Sequence, residues 1–155
     1  IVSDARVLIE RAQILSQQHR ITYDSPIEPE LIIKEIANIK QQFTQYGGAR
    51  PFGVSLMVAG INRKKGELFA SDITGNYFSY HAWAIGENDE RIKEKLREAY
   101  KEDLTIEKGA KMAFNILKEI QGKKFDMNRF ELGQILISEG RFERVEGEKL
   151  KELVK

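Results

Sequence analysis

One stretch of the chain, which contains two adjacent glycines and a proline, most constrains the fold. It covers residues 42–56 and reads Gln-Phe-Thr-Gln-Tyr-Gly-Gly-Ala-Arg-Pro-Phe-Gly-Val-Ser-Leu. Gly47 and Gly48 suit the end of a helix, because glycine adopts a positive φ without a Cβ penalty. Pro51 has no amide hydrogen and pushes Arg50 into an extended conformation, so the helix cannot resume. The apolar residues that follow predict a strand buried on both faces.

Composition narrows the class of protein. With 155 residues, the chain is long enough for one domain with a real core, residues 1–155. A net charge of +1 argues against nucleic-acid binding, and the lack of cysteine excludes disulfides and thiolate metal sites. No apolar run is long enough to span a membrane. Asp4 and Arg6 interrupt any signal-peptide core, so we expect a cytoplasmic protein.

Hydrophobic periodicity predicts the order of the elements. Ser3 is expected to cap a first helix that ends near His19, and Pro29 to open a second helix that ends at the glycine pair. Thr105 is expected to cap a later helix that ends at Gly122. The remaining predicted elements are strands at 52–61, 67–71 and 76–86, a helix at 88–100, a hairpin formed by 130–138 and 141–145, and a short helix at 148–154. This order of helix pairs and antiparallel strands predicts a layered α+β sandwich.

Several segments resemble proteasome α subunits, those of archaea most of all. The strongest resemblance lies in Tyr-Gly-Gly-Ala-Arg-Pro-Phe-Gly-Val-Ser-Leu, residues 46–56. Further matching segments are residues 2–8, 21–27, 72–75 and 84–86, in the family's order and spacing. The resemblance extends to about residue 121. It implies the four-layer αββα sandwich of the N-terminal-nucleophile hydrolases. Members of that family carry a further helix and strands before the first helix seen here. We therefore expect an N-terminally truncated fold that lacks about a third of the family's chain.

The residues offer no peptidase site. Catalytic members of this superfamily use an N-terminal Thr, Ser or Cys as nucleophile, whereas this sequence begins with Ile1. The four threonines, at positions 22, 44, 74 and 105, fall in predicted caps, turns or helix ends. Gly48 and Gly53 have the outer spacing of a phosphate-binding loop, but the lysine that such a loop needs is missing. His19 and His81 lie far apart in the sequence, with no metal-ligand pattern near them. Taken together, these residues predict no catalytic residue, metal or cofactor.

The resemblance implies a non-catalytic, structural subunit of the proteasome core particle. Tyr46, Gly47 and Gly48 would line the axial pore through which unfolded protein enters. The residues that support this turn would be Arg50, Pro51, Phe52 and Gly53. The implied partners are other α subunits in a homo-heptameric ring, proteasome β subunits, and a regulatory ATPase or activator, with neither nucleic acid nor membrane.

Two alternatives remain open on the sequence. The chain could belong to a catalytic threonine peptidase subunit, of β or bacterial two-ring type, whose nucleophile precedes these residues. It could also be a binding module or an unrelated α+β domain, which would be a monomer with a concave apolar pocket.

Overall fold

The computed structural model describes residues 1–154, which fall into two compact units with a boundary between His81 and Ala82. The first unit contains two helices and a three-stranded antiparallel sheet. These elements are α1 (Val2–Tyr23), α2 (Pro29–Gln45), β1 (Leu56–Asn62), β2 (Lys65–Ser71) and β3 (Tyr77–Ser79), with strand order β1-β2-β3. The assignment of residues 1–155 to a single domain stays a prediction.

The boundaries of the two helices follow the sequence with one correction. Pro29 occupies the first helical position of α2, as predicted. Ser3 does not cap α1, because Val2 is already helical and Ile1 holds the N-cap position. Ser3 therefore lies within the first turn, where the amide of Asp4 bonds the carbonyl of Ile1 at 3.0 Å. At the other end, α1 extends beyond His19 to Tyr23.

The first strand corrects a second prediction. β1 begins at Leu56 rather than at residue 52, and from Leu56 to Ala59 its residues alternate between partly buried and exposed. Helix α2 covers one face of the sheet, and a Cβ added at Gly60 would lie 2.7 Å from Cγ of Pro29. On the opposite face Met57 and Phe78 stay 38% and 62% exposed. The strand is therefore buried on one face, because the helix that covers it supplies only one layer.

The aromatic-rich segment from residue 76 to 86 is mostly not a strand. Only Tyr77–Ser79 pairs with β2, and the amide of Tyr80 adds one bond to the carbonyl of Leu68. Gly86 and Asn88 then adopt left-handed φ angles of 100° and 61°. Because an extended strand cannot contain such angles, the chain turns into the next helix instead.

The second unit packs one long helix, a hairpin and a short helix around a small apolar core, and a further helix packs against the long one. Its elements are α3 (Asp89–Ala99), α4 (Ile106–Gln121), β4 (Leu132–Ile135), β5 (Phe142–Val145) and α5 (Gly147–Leu153), with 3₁₀ turns at Gly122–Lys124 and Met127–Arg129. The hydroxyl of Thr105 accepts a bond from the amide of Lys108 at 3.3 Å, which confirms the predicted cap. Phe114, Val145 and Leu150 form the buried core. Within residues 1–154, the helices are all too short or too polar to cross a bilayer.

Candidate functional site

A tight turn follows α2 and carries the predicted pore residues. Tyr46 ends the helix in an extended conformation, and the amide of Ala49 bonds the Tyr46 carbonyl at 3.3 Å. Gly48 has a φ of 84°, which matches the third position of a type II turn. The positive φ predicted for this glycine is therefore present, whereas Gly47 does not adopt one.

The tip of this turn is open. Tyr46 is 62% exposed, and its ring meets the edge of Phe43 with the ring centroids 6.3 Å apart. A Cβ added at Gly47 or Gly48 would meet no other atom within 4 Å. The backbone of the two glycines is consequently accessible to any chain that approaches the tip.

The base of the turn is held by an ion pair to the first helix. The guanidinium of Arg50 donates two parallel bonds to Asp4, with Nη1–Oδ2 at 2.7 Å and Nη2–Oδ1 at 2.8 Å. The amide of Gly53 adds a third bond to the same carboxylate at 2.9 Å. Paired bonds of this kind fix orientation as well as distance. The four residues predicted to support the turn thus include two, Arg50 and Gly53, that anchor it to α1.

Electrostatics keep this ion pair charged. The bonds from Arg50 and Gly53 hold the pKa of the Asp4 carboxyl far below its usual range, and the carboxylate raises the pKa of Arg50. Phe52 contributes an apolar contact, with its ring 4.8 Å from that of Phe43 on α2. Pro51 is exposed and offers its carbonyl to Nη1 of Arg50 at 3.1 Å. The turn is therefore tied to both helices.

The residues that hold the turn from below include Lys40, which is fully buried and which we did not predict from the sequence. Its Nζ donates to the carbonyl of Val54 at 2.9 Å, to Oγ of Ser71 at 2.8 Å and to the carbonyl of Asp72 at 3.0 Å. A signal was present, because Lys40 continues the buried stripe of Ile33 and Ala37 at helical spacing. A lysine on an apolar stripe points to a buried polar contact.

The loop after β2 is organised by Asp72. Its Oδ1 accepts bonds from the amides of Thr74, Gly75 and Asn76 at 2.8, 2.9 and 3.0 Å. Partial burial acts to raise the pKa of Asp72, but the bonds from Asn76 and Thr74 prevail and lower it to about 2. Gly75 has a φ of 96°, and an added Cβ would lie 2.5 Å from the carbonyl oxygen of Ala37. The loop therefore packs tightly on α2.

Thr44, Thr74 and His19 have structural contacts. Thr44 donates its hydroxyl hydrogen to the carbonyl of Gln41 at 2.6 Å, and Thr74 donates to Asp72 at 2.8 Å. Nδ1 of His19 lies 3.1 Å from the carbonyl of Ser25, at the end of α1. Among residues 1–154 no three acidic or imidazole groups converge as a metal site would require.

A family match identifies the class of protein to which the chain belongs. Residues 1–135 match the family described as "Proteasome: Proteasome subunit", so the chain belongs to that family. The mixture of helices and antiparallel strands agrees with the predicted α+β fold of the N-terminal-nucleophile hydrolase type.

The curated relatives carry the name of one kind of subunit. Three archaeal proteins named "Proteasome subunit alpha" are similar to this chain. That of Methanocaldococcus jannaschii is 36% identical over 154 residues, covering 99% of this chain and 59% of the relative. The Methanosarcina thermophila protein is 37% identical over 150 residues, covering 97% of this chain and 61% of the relative. The Metallosphaera sedula protein is 39% identical over 147 residues, covering 94% of this chain and 61% of the relative. The chain therefore spans about three fifths of the length of these relatives.

Proposed function

We propose that this chain is part of a non-catalytic α subunit of a proteasome core particle. Membership of the proteasome family and the α-subunit names of relatives that cover nearly the whole chain support this function. The hydroxyl of Thr44 donates to a backbone carbonyl, that of Thr74 donates to the Asp72 carboxylate, and that of Thr105 caps α4. These contacts agree with a structural rather than a nucleophilic use of threonine.

In this proposal the tip formed by Tyr46, Gly47 and Gly48 lines the axial entry pore. The observation that carries it is the contrast between an open tip and a base fixed by Arg50 and Asp4. A pore edge has to stay accessible while it resists displacement by a passing polypeptide. Glycines without side chains leave the backbone as the lining, and the bidentate ion pair restrains the base.

The partners follow from the same proposal. Copies of the subunit would form a seven-membered ring that stacks on proteasome β subunits and receives unfolded protein, with a regulatory ATPase or activator at the entry, in the cytoplasm. The catalytic threonine peptidase that the sequence left open is not favoured, because the relatives carry the α name. A monomeric binding module is likewise not favoured by membership of the proteasome family.

Native mass spectrometry of the full-length polypeptide that contains these residues tests the ring. Species of about seven copies, and larger species after addition of a β subunit, are expected if the proposal holds. A subunit that stays monomeric under both conditions would contradict it.

A bulky substitution at the tip tests the pore. We expect Gly47→Phe, in particles assembled with β subunits, to slow degradation of an unfolded protein severalfold while hydrolysis of a short peptide changes little. The open space around Gly47 and its ordinary φ make the change tolerable for the fold. Gly66→Phe is the matched control, because Gly66 also has open space and an ordinary φ but lies in β2. Equal degradation rates in the two variants would place the tip away from the entry path.

A further inference from the structure

A single ammonium group joins three segments of the first unit. Lys40 on α2 reaches Val54, which follows the turn, and also Ser71 and Asp72, which end β2 and begin the next loop. An ammonium has three N–H donors, so these three bonds use all of them. Because Lys40 is 0% exposed, water does not compete for the bonds.

The other contacts of the turn connect it to the two helices and not to the loop after β2. Arg50 and Gly53 bind Asp4 on α1, and Phe52 meets Phe43 on α2. The loop formed by residues 72–76, in turn, is held by its own Asp72 and by the close approach of Gly75 to α2. Lys40 is thus the group that bonds directly to both the exit of the turn and the start of this loop.

We propose that Lys40 is a positioning residue that couples the Tyr46–Gly53 turn to the Asp72–Asn76 loop. A displacement of the loop moves the Asp72 carbonyl, shifts the ammonium and loosens its bond to Val54. The coupling bears on the pore only if the proposed function holds, because that function makes the turn the edge of the pore. The coupling itself is a property of the first unit.

The charged state of Lys40 is what holds the link together. A neutral amine has two N–H donors, and would leave one of the three acceptors without a partner. Burial lowers the pKa of Lys40 to about 8, and the nearby carboxylate of Asp72 opposes this shift. That carboxylate bonds Thr74 and Asn76, so the acceptors of the ammonium are neutral oxygens.

Two side chains of equal length, one charged and one neutral, test whether the link needs the charge of Lys40. The chain has no cysteine, so Lys40→Cys supplies a unique thiol that can be alkylated in denaturant before refolding. Bromoethylamine restores an ammonium at nearly the original length, whereas bromopropane gives the same length without charge. Hydrogen exchange at two amides then reports the turn, because the amide of Ala49 bonds the Tyr46 carbonyl and the amide of Gly53 bonds the carboxylate of Asp4.

We expect these two amides to exchange about tenfold faster in the propyl form than in the aminoethyl form, the effect of losing one hydrogen bond to a charged group. Amides of α4 in the second unit serve as the control and should not change. Equal exchange at Gly53 and Ala49 in the two forms would overturn the proposal.

A milder variant tests the coupling if the alkylated chains do not refold. Ser71→Ala removes one acceptor of Lys40 at the end of β2. We expect faster exchange at Gly53 in Ser71→Ala than in Ser79→Ala, the same substitution on the exposed end of β3. Unchanged exchange in Ser71→Ala would refute the link even if rings assemble, whereas a failure of ring assembly would leave the measured link intact.

Discussion

Among residues 1–154, each of the two units buries one lysine, and the two lysines have opposite environments. Lys40 in the first unit is 0% exposed and bonds neutral oxygens, whereas Lys93 in the second is 8% exposed and bonds two carboxylates. Burial lowers the pKa of Lys40, while the hydrogen bond to Asp89 raises the pKa of Lys93. Burial disfavours the charged form of both lysines, and the direction of each pKa shift depends on whether a bonded carboxylate offsets that cost.

The two lysines also differ in the reach of their contacts. The partners of Lys93 lie three and four residues away on the same helix, and its Nζ is 4.3 Å from the centre of the Trp83 ring. Lys40 instead bonds groups 14, 31 and 32 residues away. A local pair strengthens one helix, whereas the contacts of Lys40 bring distant segments together. The two positions should therefore respond differently to the same substitution.

The largest effect is expected for Lys40→Met, which keeps the length of the side chain and removes its three donors. Three acceptors, of which Ser71 is buried, lose their partner at roughly 1 kcal/mol each, so unfolding free energy should fall by about 3 kcal/mol. Urea denaturation followed by far-ultraviolet circular dichroism measures the change. Lys34→Met, an exposed lysine on the same helix, is the control and should stay within about 0.5 kcal/mol of the parent.

An unchanged stability in Lys40→Met would break the comparison. It would mean that release of the buried charge from its unfavourable environment offsets the lost bonds. The two lysines would then differ in pKa but not in their contribution to the fold.

A smaller effect is expected where the loop packs beside Lys40. Gly75→Ala should destabilise the chain by about 2 kcal/mol, because its Cβ meets the Ala37 carbonyl at a positive φ. Gly86→Ala is matched, since Gly86 has a φ of 100° but open space around it. It should lose about 1 kcal/mol from backbone strain alone. Urea denaturation measures both changes. An equal decrease of unfolding free energy in the two variants would show that the loop shifts to accommodate the extra atom at position 75.

The sequence predicted most elements and the turn, but not this contrast between lysines. Helix starts such as Pro29 and Thr105 and the glycine turn are local signals, which depend on neighbours in the chain. The burial of Lys40 depends on segments that come after it, so no local pattern could identify its acceptors. For the same reason, the exposed face of β1 could not be known from its apolar run. The pore role of Tyr46, Gly47 and Gly48 came from resemblance and stays a prediction.

A weaker effect is expected for Lys93→Met. Loss of two contacts within the helix and of the cation–ring contact should cost about 1 kcal/mol in unfolding free energy. Trp83 is the only tryptophan in the chain, so its fluorescence follows unfolding and should also change in the folded state. Lys95→Met, which removes the exposed ion pair with Glu119, is the control. A loss as large as that of Lys40→Met would contradict a merely local role.

The sharpest test of the comparison is the pH dependence of stability. The pKa of Lys40 falls from 10.5 to about 8 on folding, so the unfolded chain holds more protons at this site between those values. Unfolding free energy of the parent relative to Lys40→Met should therefore rise with pH there, by less than about 1.4 kcal/mol per pH unit, the limit for one proton. The pKa of Lys93 is raised above 10.5, so its contribution should stay constant up to that pH and decline above it. Urea denaturation of the parent and both variants at several alkaline pH values measures the two differences. If both free-energy differences declined as the pH rose, the neutral acceptors of Lys40 and the carboxylates of Lys93 would shift the lysine pKa in the same direction. The two lysines would then differ only in their position in the fold.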